Sequence, residues 1–367
     1  MCRHVAYLGP PVSLRSLLID PPHSLYRQAW APRRQRHGTV NADGFGIGWY
    51  AGSDPVPARY RRGVPIWGDP SLPDIARVTS SAAVLAAVRS ATEGTAAGEQ
   101  AAAPFAHGRW LFSHNGRLDG WPDSAAALLA EPGAVGPGAG GPCAGRDDGG
   151  YDSDGLGGAS SVGDAFVAGP SALGLLLSAE AMVDSAFLWA LALQRLLGGD
   201  AMDAALAGTI AAVEAAGRTG RFNFLLTDGQ SIAATACGDT LWYRSAAADT
   251  PEPASGRESR DRAPDGSGTP AAWVLVASEP GDDAPGWTEV PDRHVLTATP
   301  SRVSIRPLAA CAVPDGARPA GTGPVTARSA DGSPAGTGPA GTGPAGPELT
   351  FPGAAGSRLA GTGRGGL

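Results

Sequence analysis

No apolar run in the sequence reaches the roughly 20 residues needed to cross a bilayer, so no membrane-spanning helix is expected. Cysteine is scarce. Cys2, Cys143, Cys237 and Cys311 are scattered, with neither metal-ligand spacing nor the framework of a disulfide scaffold. The expectations are a reducing, cytoplasmic setting and no metal site. Basic charge is not in excess, since 28 Lys+Arg stand against 35 Asp+Glu for a net of −7. That balance argues against nucleic acid or a charged membrane surface as a partner. A signal peptide is not expected, because Arg3, His4 and then Pro10-Pro11 interrupt any apolar core at the start of the chain.

Glycine (54) and proline (33) are abundant in the 367 residues, at about twice ordinary usage. They concentrate in three places. Residues 131 to about 175 and 246–270 lose periodicity, and both are expected to be flexible insertions. From Cys311 onward the motif Ala-Gly-Thr-Gly recurs, and 311–367 is expected to be a disordered tail. One domain over 2–310 remains, and nothing after residue 310 has the makings of a second catalytic domain.

Within that domain, apolar periodicity predicts strands over 2–8, 45–50, 84–88 and 110–113. Helices follow over 123–129, 184–197 and 200–216. Further strands are predicted at 222–227, 231–236, 240–244, 273–277, 294–299 and 303–307, with Asp228-Gly229 as a hairpin turn. Consecutive hairpins make mainly antiparallel sheets. The fold class is α+β, two facing sheets with helices outside.

Cys2 is the first candidate for chemistry. Removal of Met1 would put a free α-amine and a thiol on one residue. An α-amine titrates near pH 7.7–8.0 and a thiol near 8.5, so the amine can serve as general base to its own sulfur. Taken alone, a cysteine here reads first as a small buried hydrophobe that starts a strand. Three downstream stretches bear on the choice. His114-Asn115-Gly116 follows a strand, where an amide and a glycine N–H can stabilise an oxyanion at about 3–4 kcal/mol per donor. It also fits a plain hairpin turn. Arg89 leaves a buried strand with a guanidinium fork suited to a carboxylate, or to an ordinary surface acid. Asp184 opens a helix, where it can cap the N-terminus or bind an ammonium. Arg89 and Asp184 together would read the head group of an amino acid.

Five pieces in order make the sequence similar to the class II glutamine amidotransferases, the N-terminal-cysteine branch of the Ntn hydrolases. They are Cys2-Arg3-His4, Asn41-Ala42-Asp43-Gly44-Phe45-Gly46, Arg89-Ser90-Ala91-Thr92-Glu93-Gly94, His114-Asn115-Gly116 and Asp184-Ser185. The resemblance implies an αββα four-layer sandwich with Cys2 between the sheets as nucleophile. It implies that Asn115 and Gly116 form the oxyanion hole. Arg89, Thr92, His114 and Asp184 would then hold the γ-glutamyl group, with no metal or organic cofactor required.

A closer resemblance is to the stand-alone amidohydrolases of ergothioneine biosynthesis, which cleave γ-glutamyl-hercynylcysteine S-oxide. Ala31-Pro32-Arg33-Arg34-Gln35-Arg36-His37-Gly38, Pro65-Ile66-Trp67-Gly68-Asp69, Cys237-Gly238-Asp239-Thr240-Leu241, Ala277-Ser278-Glu279-Pro280 and Val290-Pro291-Asp292-Arg293-His294 carry it, in a lysine-poor composition suggestive of a high-GC, actinobacterial genome. It implies a small-molecule γ-glutamyl substrate and an aromatic face for a trimethylammonium group. Trp30, Trp67 and Trp287 are the candidates, and Arg33-Arg34-Arg36 is expected to be a solvated or structural cluster. A generic glutaminase or γ-glutamyl-peptide hydrolase, or a non-catalytic binding member of the fold, is also compatible with these residues.

Overall fold

In the computed structural model, residues 2–52, 54–91, 95, 97–130, 172–246 and 271–309 are described. The chain opens on β1 (Arg3–Ser13), which runs into α1 (Leu14–Leu18) and α2 (Leu25–Gln28). Then come β2 (Phe45–Trp49), β3 (Ala58–Arg62), α3 (Leu72–Val78), β4 (Ser80–Val88), β5 (Phe105–His107), β6 (Trp110–Leu118) and α4 (Asp123–Ala130). Helices α5 (Ala172–Leu177), α6 (Asp184–Leu197) and α7 (Met202–Ala215) form a block. The closing strands are β7 (Gly220–Thr227), β8 (Ile232–Ala236), β9 (Trp242–Ala246), β10 (Trp273–Ala277), β11 (Thr288–Glu289), β12 (His294–Thr299) and β13 (Arg302–Pro307).

These strands make a seven-stranded sheet, β11-β9-β10-β1-β4-β2-β3, and a six-stranded sheet, β13-β12-β8-β7-β6-β5. Neighbouring strands pair antiparallel throughout. Side chains alternate between the faces of a strand, and β1 shows the consequence. Ala6 and Leu8 pack with Leu85, Leu111, Leu225 and Val276 between the sheets. Val5 and Tyr7 pack outward with Leu14, Leu18 and Phe45. A third cluster, with Phe112, Phe224, Leu226, Phe187 and Leu206, fills the space between the six-stranded sheet and α6 and α7. Each fully buried Leu or Phe contributes roughly 1.5–3 kcal/mol. Three apolar layers separate four layers of secondary structure, the αββα order the resemblance implies.

The expected elements are found with corrections. β1 does not stop at Gly9-Pro10-Pro11. It continues to Ser13, with a register shift on β4 between Leu8 and Val12, where two prolines that cannot donate to a ladder are accommodated. β6 likewise does not end at Ser113 but runs through His114-Asn115-Gly116, which pair with Phe224, Asn223 and Phe222 of β7. These three residues are strand, not hairpin turn. β3, β5 and β11 are short edge strands without a strong apolar pattern. The expected insertion at 131 to about 175 ends earlier, because α5 begins at Ala172; its remainder, the loop after Ala246 and the tail lie outside the described residues. The described residues belong to one compact unit, Met1–Val313. Among them, no helix is long and apolar enough to cross a membrane.

Candidate active site

The register of β1 on β4 places the candidate nucleophile. Arg3 pairs with Val88 in this antiparallel ladder, so Cys2 stands opposite Arg89, one residue further along each strand. Alternation gives Cys2 the inner face shared with His4, Ala6 and Leu8. Arg89 shares the inner face of Leu85 and Ala87. One cleft is lined by both residues, together with Thr95, His114, Gly116 and Asp184. Cys2 is half-buried, and its Sγ lies 4.0 Å from Ser90 O.

Arg89 is held from several directions. Its backbone N donates to Gly44 O at 2.8 Å, and its Nη1 and Nη2 donate to Asp43 O (3.3 Å) and Thr95 Oγ1 (3.1 Å). Asp43 in turn accepts from Ala91 N through Oδ2 at 2.7 Å. Gly44 adopts φ +131°, and a Cβ there would lie 2.9 Å from Arg62 O, so this position of the Asn41–Gly44 motif needs glycine. Buried Asn41 ties the same loop down by donating to Gln28 O and Gln35 Oε1, both at 3.1 Å. Thr92, expected to assist Arg89, lies outside the described residues.

The triplet on β6 divides between two faces, as a strand requires. His114 faces α6: its Nδ1 lies 3.0 Å from Ser185 Oγ and its Nε2 2.8 Å from Arg221 O. A carbonyl only accepts, so Nε2 carries the proton and Nδ1 accepts from the serine. Burial pushes the imidazole below its ordinary pKa, against the pull of Asp184, which keeps it neutral. Both ring nitrogens of His114, expected to help hold the γ-glutamyl group, thus have protein partners. Gly116 follows, and a Cβ on it would lie 1.9 Å from Arg221 O and 2.5 Å from His114 Nε2.

Asn115 faces the other sheet and is fully buried. Its Nδ2 donates to Ser278 Oγ at 3.5 Å, and its Oδ1 has no hydrogen-bond partner among the described residues. Asn115 therefore stands beside the cleft, while Gly116 lines it. Asp184, the first residue of α6, accepts from Leu118 N through Oδ2 (3.1 Å) and from Ser185 N through Oδ1 (2.8 Å). It is not the N-cap, which is Val183.

Several residues of the site were not singled out as candidates from the sequence. Ser278 Oγ accepts from His4 N at 3.0 Å, while Ser278 N donates to His4 O at the same distance. His4 Nδ1 lies 3.2 Å from Ser113 Oγ, and burial, with His114 and Arg3 nearby, pushes the His4 pKa down to about 3. Arg3 is fully buried, and its guanidinium nitrogens have no hydrogen-bond partner among the described residues. Burial lowers its pKa, while Glu279, Asp239 and Cys2 oppose that change. Asp239 is raised by burial against the pull of Arg3 and Arg221, and Arg221 Nε is 3.6 Å from its Oδ2. The available signal was positional: Arg3 and His4 adjoin Cys2, and Ser278 directly follows an apolar strand. Among the described residues no group of three His, Cys, Asp or Glu is placed to hold a metal ion.

Comparison with known proteins gives the family. The family model for class II glutamine amidotransferases matches residues 20–135. The γ-glutamyl-hercynylcysteine sulfoxide hydrolase of Mycolicibacterium smegmatis is 37% identical over 308 residues, covering 84% of this chain and 100% of its own. That of Mycobacterium tuberculosis is 35% identical over 308 residues, covering 84% and 97%. The solved structure of a glutamine aminotransferase class-II domain protein from Silicibacter pomeroyi is 22% identical with a TM-score of 0.47, covering 84% of this chain and 100% of that one. With the five motifs in order and relatives aligned along nearly their whole length, the chain belongs to the class II glutamine amidotransferases.

Proposed function

We propose that this protein is a cytoplasmic amidohydrolase that cleaves the γ-glutamyl amide bond of γ-glutamyl-hercynylcysteine S-oxide, giving glutamate and hercynylcysteine S-oxide. The observation that carries the proposal is the 37% identity to a hydrolase of that name across the whole of the relative's length. The cleft containing Cys2 and Arg89 supplies the chemistry it needs.

Once Met1 is removed, the α-amine of Cys2 takes the thiol proton. The thiolate attacks the γ-carbonyl carbon, a C–S bond forms, and the carbonyl electron pair moves onto oxygen. Asn115 Nδ2 has a second hydrogen beyond the one used on Ser278. That hydrogen and the Gly116 N–H stabilise the oxyanion. Collapse breaks the C–N bond, and the Cys2 ammonium protonates the departing amine. Water, giving a proton to the same amine, then hydrolyses the thioester and frees glutamate. Arg89 pairs with the substrate's α-carboxylate, aided by Thr92, and Asp184 with its α-ammonium. His114 keeps Asp184 and β6 in register.

The test compares γ-glutamyl-hercynylcysteine S-oxide, glutamine and glutathione under matched conditions. The proposal expects the hercynyl conjugate to have the highest kcat/KM. Equal or faster turnover of glutamine or glutathione would assign a generic γ-glutamyl hydrolase instead.

A further inference from the structure

Asp43 belongs to one of the five sequence motifs, yet the chemistry proposed above leaves its carboxylate without a role. The residue is exposed, so its charge needs no buried partner. It nevertheless makes one short hydrogen bond to a distant part of the chain: Oδ2 accepts from Ala91 N at 2.7 Å, across 48 residues of sequence. A carboxylate accepting from a backbone N–H makes a charge-assisted bond, stronger than one between neutral groups. Ser90 and Ala91 belong to neither helix nor strand, so no ladder fixes the peptide between them.

That peptide has two polar ends. Its N–H is the group Asp43 grips, and its carbonyl oxygen is Ser90 O. A trans peptide is planar, with N–H and C=O on opposite edges. Holding the N–H therefore fixes the plane of the unit and the direction of its carbonyl. The carbonyl is directed at the nucleophile: Ser90 O lies 4.0 Å from Cys2 Sγ, and among the described residues the sulfur has no other hydrogen-bond partner. A thiol is a weak donor, so the placing of its acceptor decides whether that contact holds the side chain. The fork of Arg89 is held by other means. Asp43 N donates to Arg89 O at 2.9 Å, Arg89 N donates to Gly44 O, and the guanidinium donates to Asp43 O and Thr95 Oγ1. Residues 43 and 44 take part in these bonds through their backbone alone. The Asp43 side chain thus acts on the Ser90–Ala91 peptide without carrying the carboxylate-binding fork.

We propose that Asp43 is a positioning residue for the nucleophile: its carboxylate orients the Ser90–Ala91 peptide so that the Ser90 carbonyl holds the Cys2 sulfur in place within the cleft. The proposal rests on the function proposed above, in which Cys2 attacks and Arg89 binds the substrate carboxylate. Misplacing a reacting atom by about 1 Å can cost about 100-fold in rate, so a loosened peptide should be read in turnover and not in binding. Asp43→Ala and Asp43→Asn are assayed on γ-glutamyl-hercynylcysteine S-oxide, and their denaturant midpoints are measured alongside. Asp43→Ala should lower kcat about tenfold with KM within twofold. Asp43→Asn keeps an oxygen that accepts from Ala91 N and loses only the charge, so its kcat should return to within about threefold of the wild type. Both midpoints should stay close to that of the wild type, because the residue is exposed. An active wild-type enzyme overturns the role of Asp43, and leaves the function standing, if Asp43→Ala keeps kcat within twofold, if its loss is carried in KM, or if Asp43→Asn is as slow as Asp43→Ala. A wild-type enzyme inactive on the conjugate overturns both.

Discussion

Asn115 Nδ2 and Ser278 Oγ meet at 3.5 Å across the two sheets, Asn115 from β6 and Ser278 from the end of β10. The same hydroxyl accepts from His4 N, two residues from the nucleophile, and Thr240 Oγ1 donates to Ser278 O at 2.8 Å. One serine thus connects the proposed oxyanion donor to the strand that carries Cys2. Ser278→Ala removes that link without disturbing the cleft beside Arg89. The expected outcome is a fall in kcat of about tenfold with KM within twofold, and Ser278→Thr should restore most of it. A loss carried mainly in KM would show that Ser278 acts on binding instead.

Arg89 makes a different prediction, because it is proposed to hold the glutamyl carboxylate shared by every γ-glutamyl substrate. Arg89→Lys keeps the charge and loses the planar fork. KM should rise about tenfold or more for the conjugate and for glutamine alike. A rise confined to one of the two substrates would contradict the assignment.

Two neutral, buried histidines set the acid limit of stability. His4 titrates at about 3 in the folded chain against about 6.5 unfolded, and His114 is also lowered. Below pH 6.5 the unfolded chain therefore binds protons that the folded chain does not. Stability is full above that pH and is lost as pH falls towards 3, with a slope of about 1.4 kcal/mol per pH unit for His4 alone. Unfolding free energies from urea titrations at pH 7.5 and 5.5 should differ by about 1.4 kcal/mol or more, with a lower midpoint at pH 5.5, and His4→Gln should reduce the difference. Equal midpoints for the wild-type protein at the two pH values would refute the buried neutral state.

The core of the fold was legible because its strands and helices are strongly apolar and periodic. α6 and β10 occur at the predicted residues. What escaped were elements fixed by partners instead of by pattern. β1 passes through two prolines because β4 absorbs the shift. His114-Asn115-Gly116 resembles a turn in isolation, yet β7 pairs with it residue for residue. Of the residues singled out by type, order and resemblance, Cys2, Arg89, His114, Gly116 and Asp184 line one cleft. The alternation that turns His114 towards Ser185 and Asn115 towards Ser278 depended on β6 continuing as strand. The role of Ser278 depended on a register between β1 and β10, some 270 residues apart in sequence, that no local signal carries.

Gly116 offers a check on that packing. In Gly116→Ala the new methyl would lie 1.9 Å from Arg221 O, which is backbone and cannot swing aside. Overpacking of this kind costs about 1–3 kcal/mol or more. The denaturant midpoint should fall with an unchanged slope, together with activity. A variant as stable and active as the wild type would mean that β6 and β7 are not so closely apposed.

The most direct measurement is the intact mass of the purified protein before and after treatment with 6-diazo-5-oxo-norleucine, an electrophilic glutamine mimic. A chain starting at Cys2 that gains one adduct, on Cys2, with complete loss of glutamate release is the predicted result. A fully active protein that retains Met1, or inactivation with the adduct elsewhere, would contradict a nucleophile activated by its own α-amine.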